Sequence, residues 1–398
     1  MKVLIVNSVC GTGSTGRIST DLYDVLDSKN NECVIAYGRG EHNDKYKTFK
    51  IGTPFDNYIH MLNTRIFDRH GFSSTLATKK FIDFIIKFSP DVIHIHNVHG
   101  YYLNINIFFT FLKEKYKGRI IWTLHDCWSF SPHSAFIDYD EYGNLPRVES
   151  NKMMHKYPKS ICLNQSKKNY ELKKKLFSSI PNLLLVTPSK WLKQMVNQSF
   201  LSEYECIVIN NGIDKRAFYK EKNMKNTVDK KLVLGVANIW EERKGLKFFN
   251  ELSENLPSEE YKVVLVGKAN KKSIHNKINH IEQTSNINEM RVLYNEAFCF
   301  INPTLEDNYP TTNLEALCCG TPIIVFDTGG NKEVIEKNNG IVTKQKNTQS
   351  ILDAIELMSE SYNRFKVEIE KNQYSKESMY SKYFELYKGD NNEKNIIA

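Results

Sequence analysis

Short apolar runs alternate along this chain with longer segments in which apolar residues recur every three or four positions. Runs such as Val3–Val6, Cys33–Tyr37, Leu232–Ala237 and Val263–Val266 predict strands that are buried on both faces. The longer segments predict amphipathic helices that cover those strands. Because the two patterns alternate throughout, the sequence predicts an α/β protein with parallel sheets.

The alternation is interrupted at residues 210–214, Asn-Asn-Gly-Ile-Asp, where Asn-Gly is a strong turn signal. With 398 residues the chain is also long for a single hydrophobic core. We therefore predict a domain over residues 1–211, a second over 212–374, and an aromatic-rich terminal helix over 375–390.

The most informative stretch, residues 307–326, predicts a loop, a helix and a buried strand. Pro310 suits the first helical position, where an N–H group is not needed. Small polar residues then fill the first turn: Thr311, Thr312 and Asn313. Free N–H groups and the positive end of the helix dipole can hold a phosphate there. Glu315 lies one turn beyond Thr311, where its carboxylate can accept hydrogen bonds from a ribose diol. An ordinary capped surface helix would show the same local pattern.

An acidic residue, seven intervening residues and then Glu-Ala-Leu-x-x-Gly-x-Pro-Ile resemble the signature of glycosyltransferase family 4. Here the signature starts at Asp307, where the family usually has Glu, and includes Glu315 and Gly320-Thr-Pro322. The resemblance implies a retaining enzyme with the GT-B fold, in which two Rossmann-like domains face a central cleft and the terminal helix crosses back to the first domain. It also implies that Glu315 binds the donor ribose and Asp307 the donor sugar hydroxyls.

The resemblance further implies that Lys244 binds the donor diphosphate, with Arg243 or Arg17 as the second positive charge. Many family members have an arginine at the position of Asn238. Two cations suit a leaving diphosphate, because negative charge accumulates on it as the glycosidic bond breaks. The predicted catalytic residues are therefore His125, Asp307, Lys244 and Arg243. The predicted donor-binding residues are Glu315, Thr311, Thr312, Asn313, Asn308, Gly13 and Asn238.

The segment Gly11-Thr-Gly13-Ser-Thr-Gly16-Arg17 follows the first strand and, taken alone, suggests a dinucleotide site. Such a site needs an acidic residue about 20 residues later, and Gly38 and Arg39 follow the next strand instead. The segment resembles the first loop of family 4 enzymes, which lies across the cleft from the donor phosphates. A positive charge such as Arg17 is unfavourable at the start of a helix unless an anion binds there. We therefore predict that Gly16 and Arg17 belong to a binding site, on the acceptor side.

The segment 91–102 predicts a strand that carries His94 and His96 on one face. A metal would need a third ligand, which is not evident, so packed or substrate-facing histidines are favoured. Ligands collect beyond the carboxyl ends of parallel strands. Four residues there are predicted to contact acceptor hydroxyls: Asn97, His99, Tyr101 and Tyr102.

His125 ends the next predicted strand, Arg119–Leu124, within Thr123-Leu-His125-Asp126. A lone histidine in such a position is usually a satisfied core residue. The Thr-x-His-Asp pattern resembles the active-site histidine of family 4, which favours a catalytic role.

Two further motifs leave alternatives open. Asp138-Tyr-Asp140 has the form of a metal-binding D-x-D tripeptide, although a solvated turn is favoured and no obligatory metal is expected. Lys167, Lys168 and Lys173–Lys175 flank Leu172, Leu176 and Ile180 on one predicted helix face. That helix suits either an anionic membrane surface or ordinary solvent.

The formal charge of +8 fits anionic partners without selecting among them. Eight scattered cysteines without a C-x-x-C pair predict reduced thiols in a cytoplasmic protein. The resemblance implies a UDP- or GDP-linked sugar donor and a lipid-linked saccharide acceptor at the inner face of a bacterial membrane, with no nucleic acid partner. A GT-B nucleotide-sugar epimerase and a non-catalytic sugar-binding homologue are the alternatives.

Overall fold

The computed structural model describes residues 1–41, 44–135, 137, 157–221, 230–336, 338–365, 367–370 and 372–389. The chain forms two compact units. The first unit contains Met1–Ile209 and the residues from Tyr380 onward, and the second contains Asn210–Met379.

The first unit is built on a parallel sheet in the order β3-β2-β1-β4-β5-β6-β7. Its described elements in chain order are β1 (Lys2–Val9), α1 (Gly13–Ser28), β2 (Glu32–Arg39), β3 (Thr48–Lys50), α2 (Pro54–Phe67), α3 (Thr75–Phe88), β4 (Val92–Ile95), α4 (Ile105–Glu114), β5 (Arg119–Thr123), α5 (Ser166–Phe177), β6 (Leu183–Thr187), α6 (Lys190–Asn197) and β7 (Cys206–Val208). The strand order reverses between β1 and β4, so the loops after these strands diverge at the carboxyl edge, where open α/β sheets bind ligands.

The second unit has a parallel sheet in the order β10-β9-β8-β11-β12-β13. Its described elements are β8 (Lys231–Ile239), α7 (Leu246–Asn255), β9 (Tyr261–Lys268), β10 (Asn279–Ile281), α8 (Ile287–Glu296), β11 (Ala297–Asn302), α9 (Thr311–Cys318), β12 (Ile323–Phe326), β13 (Gly340–Thr343), α10 (Thr348–Glu360) and α11 (Lys376–Lys388). The last helix begins in this unit and ends in the first. Here the strand order reverses between β8 and β11.

The buried strands explain the apolar runs in the sequence. Val3, Leu4, Ile5 and Val6 of β1 are all fully buried, because helices cover both faces of a parallel sheet. The predicted α/β class with parallel sheets is confirmed.

Several local predictions need correction. The helix start predicted at Arg17 is wrong: α1 begins at Gly13, so Gly16 and Arg17 lie within its first turns. Pro310 is the residue before α9 and not its first helical residue. Its backbone is extended there, with φ −69° and ψ 125°.

The prediction for the basic helix also fails in part. Helix α5 ends at Phe177, and its apolar residue Leu176 packs in the core of the first unit together with Ile180. Lys173 is buried beneath Trp128, and its Nζ donates to the Trp128 carbonyl at 2.6 Å. Burial lowers the pKa of Lys173 to about 7, against the pull of Asp68 and Asp126. The apolar face of α5 is therefore not free to meet a membrane.

No helix among the described residues is long and apolar enough to cross a bilayer. All eight cysteines are free thiols, and Cys162 is the exposed one.

Candidate functional site

In the second unit, the loop after β8 meets the loop after β11 at the point where the strand order reverses. The Leu305 N–H donates to the Arg243 carbonyl at 2.8 Å, and Arg243 Nη1 donates to the Glu306 carbonyl at 2.9 Å. Gly245 has φ +80°, and an added Cβ would lie 2.5 Å from the Pro303 carbonyl oxygen. Only glycine permits this approach, which holds the two loops together.

Lys244 and Asp307 form an ion pair across these two loops, through Nζ and Oδ2. Their side chains are 22% and 17% exposed. Asp307 also accepts the Asn308 N–H at 2.8 Å through Oδ1, which fixes the carboxylate. The structure thus places the predicted diphosphate-binding cation against the predicted sugar-binding acid. Arg243 pairs with Glu241 at 3.0 Å, so it is held close to Lys244 but partly neutralised.

The start of α9 supplies backbone donors beside these loops. In the described part of the chain, the N–H groups of Thr311 and Thr312 have no hydrogen-bond acceptor. Both side chains are half-buried, and no side chain caps the helix. The first turn therefore offers the N–H groups and dipole end that suit a phosphate.

Asn313 occupies the same turn but points into the protein. Its Oδ1 accepts from Asn302 Nδ2 at 2.8 Å, and its Nδ2 donates to Asn331 Oδ1 at 2.7 Å. All three side chains are buried. The Asn313 side chain thus has a positioning role, in which three amides fix the start of α9 against β11 and the turn after β12. Asn308 is buried as well, whereas Asn238 is exposed at the end of β8.

Glu315 lies half-buried one turn behind Thr311, as the sequence predicted. Its Oε2 accepts a hydrogen bond from the Tyr294 hydroxyl at 2.9 Å. Burial and the charge of Glu315 raise the pKa of Tyr294 well above its usual value, so the hydroxyl remains a donor. Tyr294 therefore holds the carboxylate in one orientation, which is what recognition of a diol requires.

In the first unit, His125 follows β5 at the carboxyl edge of the sheet. Its Nε2 lies 2.9 Å from Nδ1 of His96, and the two rings stack with centroids 5.2 Å apart. Burial lowers the pKa of His125 to about 4 and that of His96 well below its usual value. Both imidazoles are thus neutral near pH 7, and one donates its N–H to the other. Within the described residues, the buried Nε2 of His96 has no partner.

His94, by contrast, is a satisfied core residue. It is fully buried, its Nδ1 lies 2.6 Å from the Tyr387 hydroxyl, and its Nε2 lies 2.8 Å from Thr123 Oγ1. Burial lowers its pKa to about 3. His94 lies on β4 and His96 directly follows it. Of these two, His96 is the one that contacts the predicted catalytic residue His125.

The predicted acceptor residues after β4 are three half-buried residues, Asn97, His99 and Tyr101, and one fully buried residue, Tyr102. His99 Nε2 lies 2.7 Å from Asp126 Oδ2, and the Trp128 N–H donates to Asp126 Oδ1 at 2.9 Å. Burial alone would raise the pKa of Asp126, but His99 and the Trp128 amide hold it below its usual value. Tyr101 is half-buried, with the Arg39 guanidinium 5.7 Å from its ring centroid.

Tyr102 does not reach the surface. It is fully buried and donates its hydroxyl to the Asn97 carbonyl at 2.8 Å, so it packs beneath the loop and does not contact an acceptor in this structure. This corrects its predicted role. Asn97 itself is half-buried.

The glycine segment after β1 is compact. The Gly11 N–H donates to the Gly16 carbonyl at 3.0 Å, and a Cβ on Gly16 would lie 3.1 Å from Val9 and 3.2 Å from the Gly11 nitrogen. Gly13 and Arg17 are exposed. Arg17 has no ion-pair partner in the part of the chain that the structure describes.

Asp138 and Asp140 lie outside the described residues. Among the residues that are described, no three His, Cys, Asp or Glu side chains are grouped as a metal site would require.

Five side chains hold the predicted residues in place: Tyr294, Asn302, Asn331, His96 and Asp126. Sequence reasoning gave no role to the first three, and it named His96 and Asp126 without these contacts. Three of them carry a local signal. Asn302 and His96 are polar residues at the ends of buried strands, and Asn331 follows a Gly-Gly turn. Tyr294 and Asp126 act through partners that only the tertiary structure reveals.

Residues 230–361 match the family described as Glycosyl transferases group 1. The chain is 24% identical over 380 residues to WcaC of Escherichia coli (strain K12), named as a glycosyl transferase of colanic acid biosynthesis, and the match covers 90% of each chain. It is 27% identical over 207 residues to the N,N'-diacetylbacillosaminyl-diphospho-undecaprenol alpha-1,3-N-acetylgalactosaminyltransferase of Campylobacter jejuni, which covers 46% of this chain and 54% of that one.

Among solved structures, HepE of Anabaena in complex with UDP-glucose superimposes with a TM-score of 0.63 at 13% identity. The superposition covers 98% of this chain and 100% of HepE. The two units therefore have the GT-B fold of glycosyltransferases. The match to the Glycosyl transferases group 1 family lies within the second unit.

Proposed function

We propose that this chain, with its GT-B fold and its group 1 glycosyl transferase domain, is a retaining family 4 enzyme. It transfers a sugar from a UDP- or GDP-linked donor to a lipid-linked saccharide during bacterial surface polysaccharide biosynthesis. The observation that carries the proposal is the Lys244–Asp307 ion pair, which lies where the strand order of the second unit reverses and is followed along the chain by the uncapped start of α9 and by Glu315.

Each of these groups suits one part of a nucleotide-sugar. The free N–H groups of Thr311 and Thr312 suit a phosphate, and the fixed carboxylate of Glu315 suits a ribose diol. Lys244 pairs with Asp307, three residues before Pro310, and would neutralise a second phosphate. Asp307 can accept hydrogen bonds from sugar hydroxyls. HepE was solved with UDP-glucose, which supports a donor of this class.

The reaction breaks the bond between the anomeric carbon and the diphosphate oxygen. The acceptor oxygen attacks the face that the nucleotide leaves, so the configuration is retained, and the acceptor proton passes to the departing phosphate. Lys244 and the α9 N–H groups stabilise the charge that develops on the diphosphate. Neutral His125 is positioned by His96 to hydrogen-bond the sugar as it becomes oxocarbenium-like.

The acceptor assignment is supported by the relatives. The Campylobacter enzyme is named for a diphospho-undecaprenol acceptor, and WcaC for colanic acid biosynthesis. In the first unit, the His99–Asp126 pair and Tyr101 form a polar and aromatic surface that suits a saccharide.

The proposal includes no obligatory metal, since protein cations and helix N–H groups supply the positive potential. A panel of UDP- and GDP-sugars, each assayed for released nucleotide with and without EDTA, tests both points. We expect slow hydrolysis of one donor, and we expect this hydrolysis to continue in the presence of EDTA. Conversion of a donor to its epimer without nucleotide release would indicate an epimerase. Binding of a donor without turnover would indicate a non-catalytic homologue.

A further inference from the structure

Helix α2 of the first unit is amphipathic, but its polar face and not its apolar face is directed into the protein. Asn57, His60 and Thr64, spaced three and four residues apart, are directed toward the protein. Asn57 Nδ2 donates to the Tyr101 carbonyl at 2.9 Å. His60 lies 2.9 Å from Ser74 Oγ through Nδ1 and accepts the Gly71 N–H at 3.0 Å through Nε2.

The opposite face of α2 is apolar and faces solvent. Phe55, Ile59, Leu62 and Ile66 recur at intervals of four, three and four residues, which is the spacing of one helix face. Phe55 is 71% exposed, and Ile59 and Ile66 are exposed as well. In a soluble monomer such a stripe would normally point into the core, so its outward direction indicates a partner.

The segment Ile161–Leu163 extends this surface. The Ile161 N–H donates to the Arg65 carbonyl at 2.8 Å, which places the segment against the end of α2. Ile161 is 72% exposed, and Leu163 is exposed too. We call the apolar face of α2 together with Ile161 and Leu163 the α2 surface.

The charges around the α2 surface are basic. Arg65, Arg69 and Lys159 are exposed, and none has a carboxylate partner in the part of the chain that the structure describes. The two acidic residues at the ends of α2 are engaged by other groups of the protein or buried. Asp56 accepts hydrogen bonds in the capping box of α2 with Thr53, and Asp68 is fully buried. An apolar stripe with an aromatic residue and a basic rim is the pattern of a helix that lies in the interface of an anionic bilayer.

We propose that the α2 surface binds an anionic membrane, with the helix lying in the plane of the interface. The inference rests on the proposed function only for the identity of the acceptor. Through Asn57, the inner face of α2 holds the loop of Tyr101, which is predicted to contact the acceptor. The same helix would then join the lipid surface to the site that receives a lipid-linked saccharide.

The test is flotation of the full-length protein with vesicles of phosphatidylcholine, with and without phosphatidylglycerol. The double variant Phe55→Ser/Ile66→Ser should lose about tenfold or more in binding to the anionic vesicles. The matched control, Ile86→Ser/Leu357→Ser, removes two residues that are 63% and 49% exposed elsewhere, and it should bind like the wild type. Arg65→Gln/Arg69→Gln/Lys159→Gln should lose a similar amount, and only with phosphatidylglycerol present.

Nucleotide binding separates this inference from the proposed function. The Phe55→Ser/Ile66→Ser variant should bind UDP or GDP like the wild type and should lose transfer only to an acceptor embedded in vesicles, not to a short-chain soluble analogue. If no donor is ever turned over, the proposed function fails while vesicle binding still decides this inference. Equal flotation of the wild type and the double variant would overturn it. So would a wild-type dimer that the double variant converts to monomer in light scattering, because a second copy would then occupy the surface.

Discussion

Lys244 and Asp307 form an ion pair that joins the loop after β8 to the loop after β11. Each side chain is mostly withdrawn from solvent, so the attraction between the two charges is screened less than in an exposed pair. A diphosphate that binds Lys244 must compete with Asp307 for it. Binding of the diphosphate by Lys244 and binding of the sugar by Asp307, as proposed, would therefore affect each other.

Replacing Lys244 or Glu315 by alanine should weaken nucleotide binding. A lost hydrogen bond to a charged group costs roughly 1.5–3 kcal/mol, so the Kd of UDP or GDP should rise about tenfold or more in each variant. Isothermal titration measures this directly. Lys247→Ala, which removes an exposed lysine from α7, is the matched control and should bind normally. Unchanged affinity in folded Lys244→Ala and Glu315→Ala proteins would remove both residues from the donor site.

Asp307→Asn should have the opposite effect on the nucleotide. Removing the carboxylate frees Lys244 and takes a negative charge away from the diphosphate, so UDP or GDP should bind at least about threefold more tightly. Turnover should nevertheless fall by about 10²-fold, because Asp307 is proposed to hold the sugar during reaction. Titration and a transfer assay on the same preparation check the two effects. Weaker nucleotide binding would show that Asp307 orders the loop and does not oppose the diphosphate.

His125→Ala should lower turnover by about 10²-fold or more, the scale of a positioned catalytic group. Nucleotide affinity should change little, since the proposed nucleotide contacts all lie in the second unit. Because the interaction forms mainly in the transition state, kcat and kcat/KM should fall together. A stable variant with near-normal transfer would exclude His125 from the site. A fall in melting temperature that fully accounts for lost activity would identify a core histidine.

The sequence was sufficient for the parts of this protein that local patterns determine. Apolar runs predicted the buried strands, and the signature beginning at Asp307 predicted that Glu315 lies one turn behind the first turn of α9. The resemblance to family 4 drew attention to His125. These features depend on periodicity and spacing, which a single chain displays directly.

Contacts between distant segments could not be predicted in this way. Asn313 was assigned to the donor because it lies on the first turn, but its partners, Asn302 and Asn331, are brought together only by the sheet. The burial of Lys173 under Trp128 is also a contact between distant segments. From the local sequence alone, a basic helix face is predicted to face solvent. The outward apolar face of α2 contradicts the usual rule that apolar stripes face the core.

Stability should fall on acidification, because two fully buried histidines are neutral when folded. Burial lowers the pKa of His60 and His94 to about 3, from 6.5 when unfolded. The unfolded chain therefore binds more protons below pH 6.5, and stability present above that value is lost as the pH falls toward 3. Each histidine should cost up to about 2 kcal/mol at about pH 5. Denaturant unfolding of the wild type and of His94→Gln checks this: the variant should show a shallower pH dependence, and an identical dependence would contradict the assignment.

The stoichiometry of sugar transfer tests most directly whether this protein is a retaining glycosyltransferase. The purified protein is incubated with the donor that the panel identifies and with a lipid-linked saccharide, and released nucleotide is compared with the mass of the acceptor. We expect the acceptor to gain a single sugar residue for each nucleotide released, with the anomeric configuration of the donor retained. Nucleotide release without any gain in acceptor mass, or a product of inverted configuration, would contradict it.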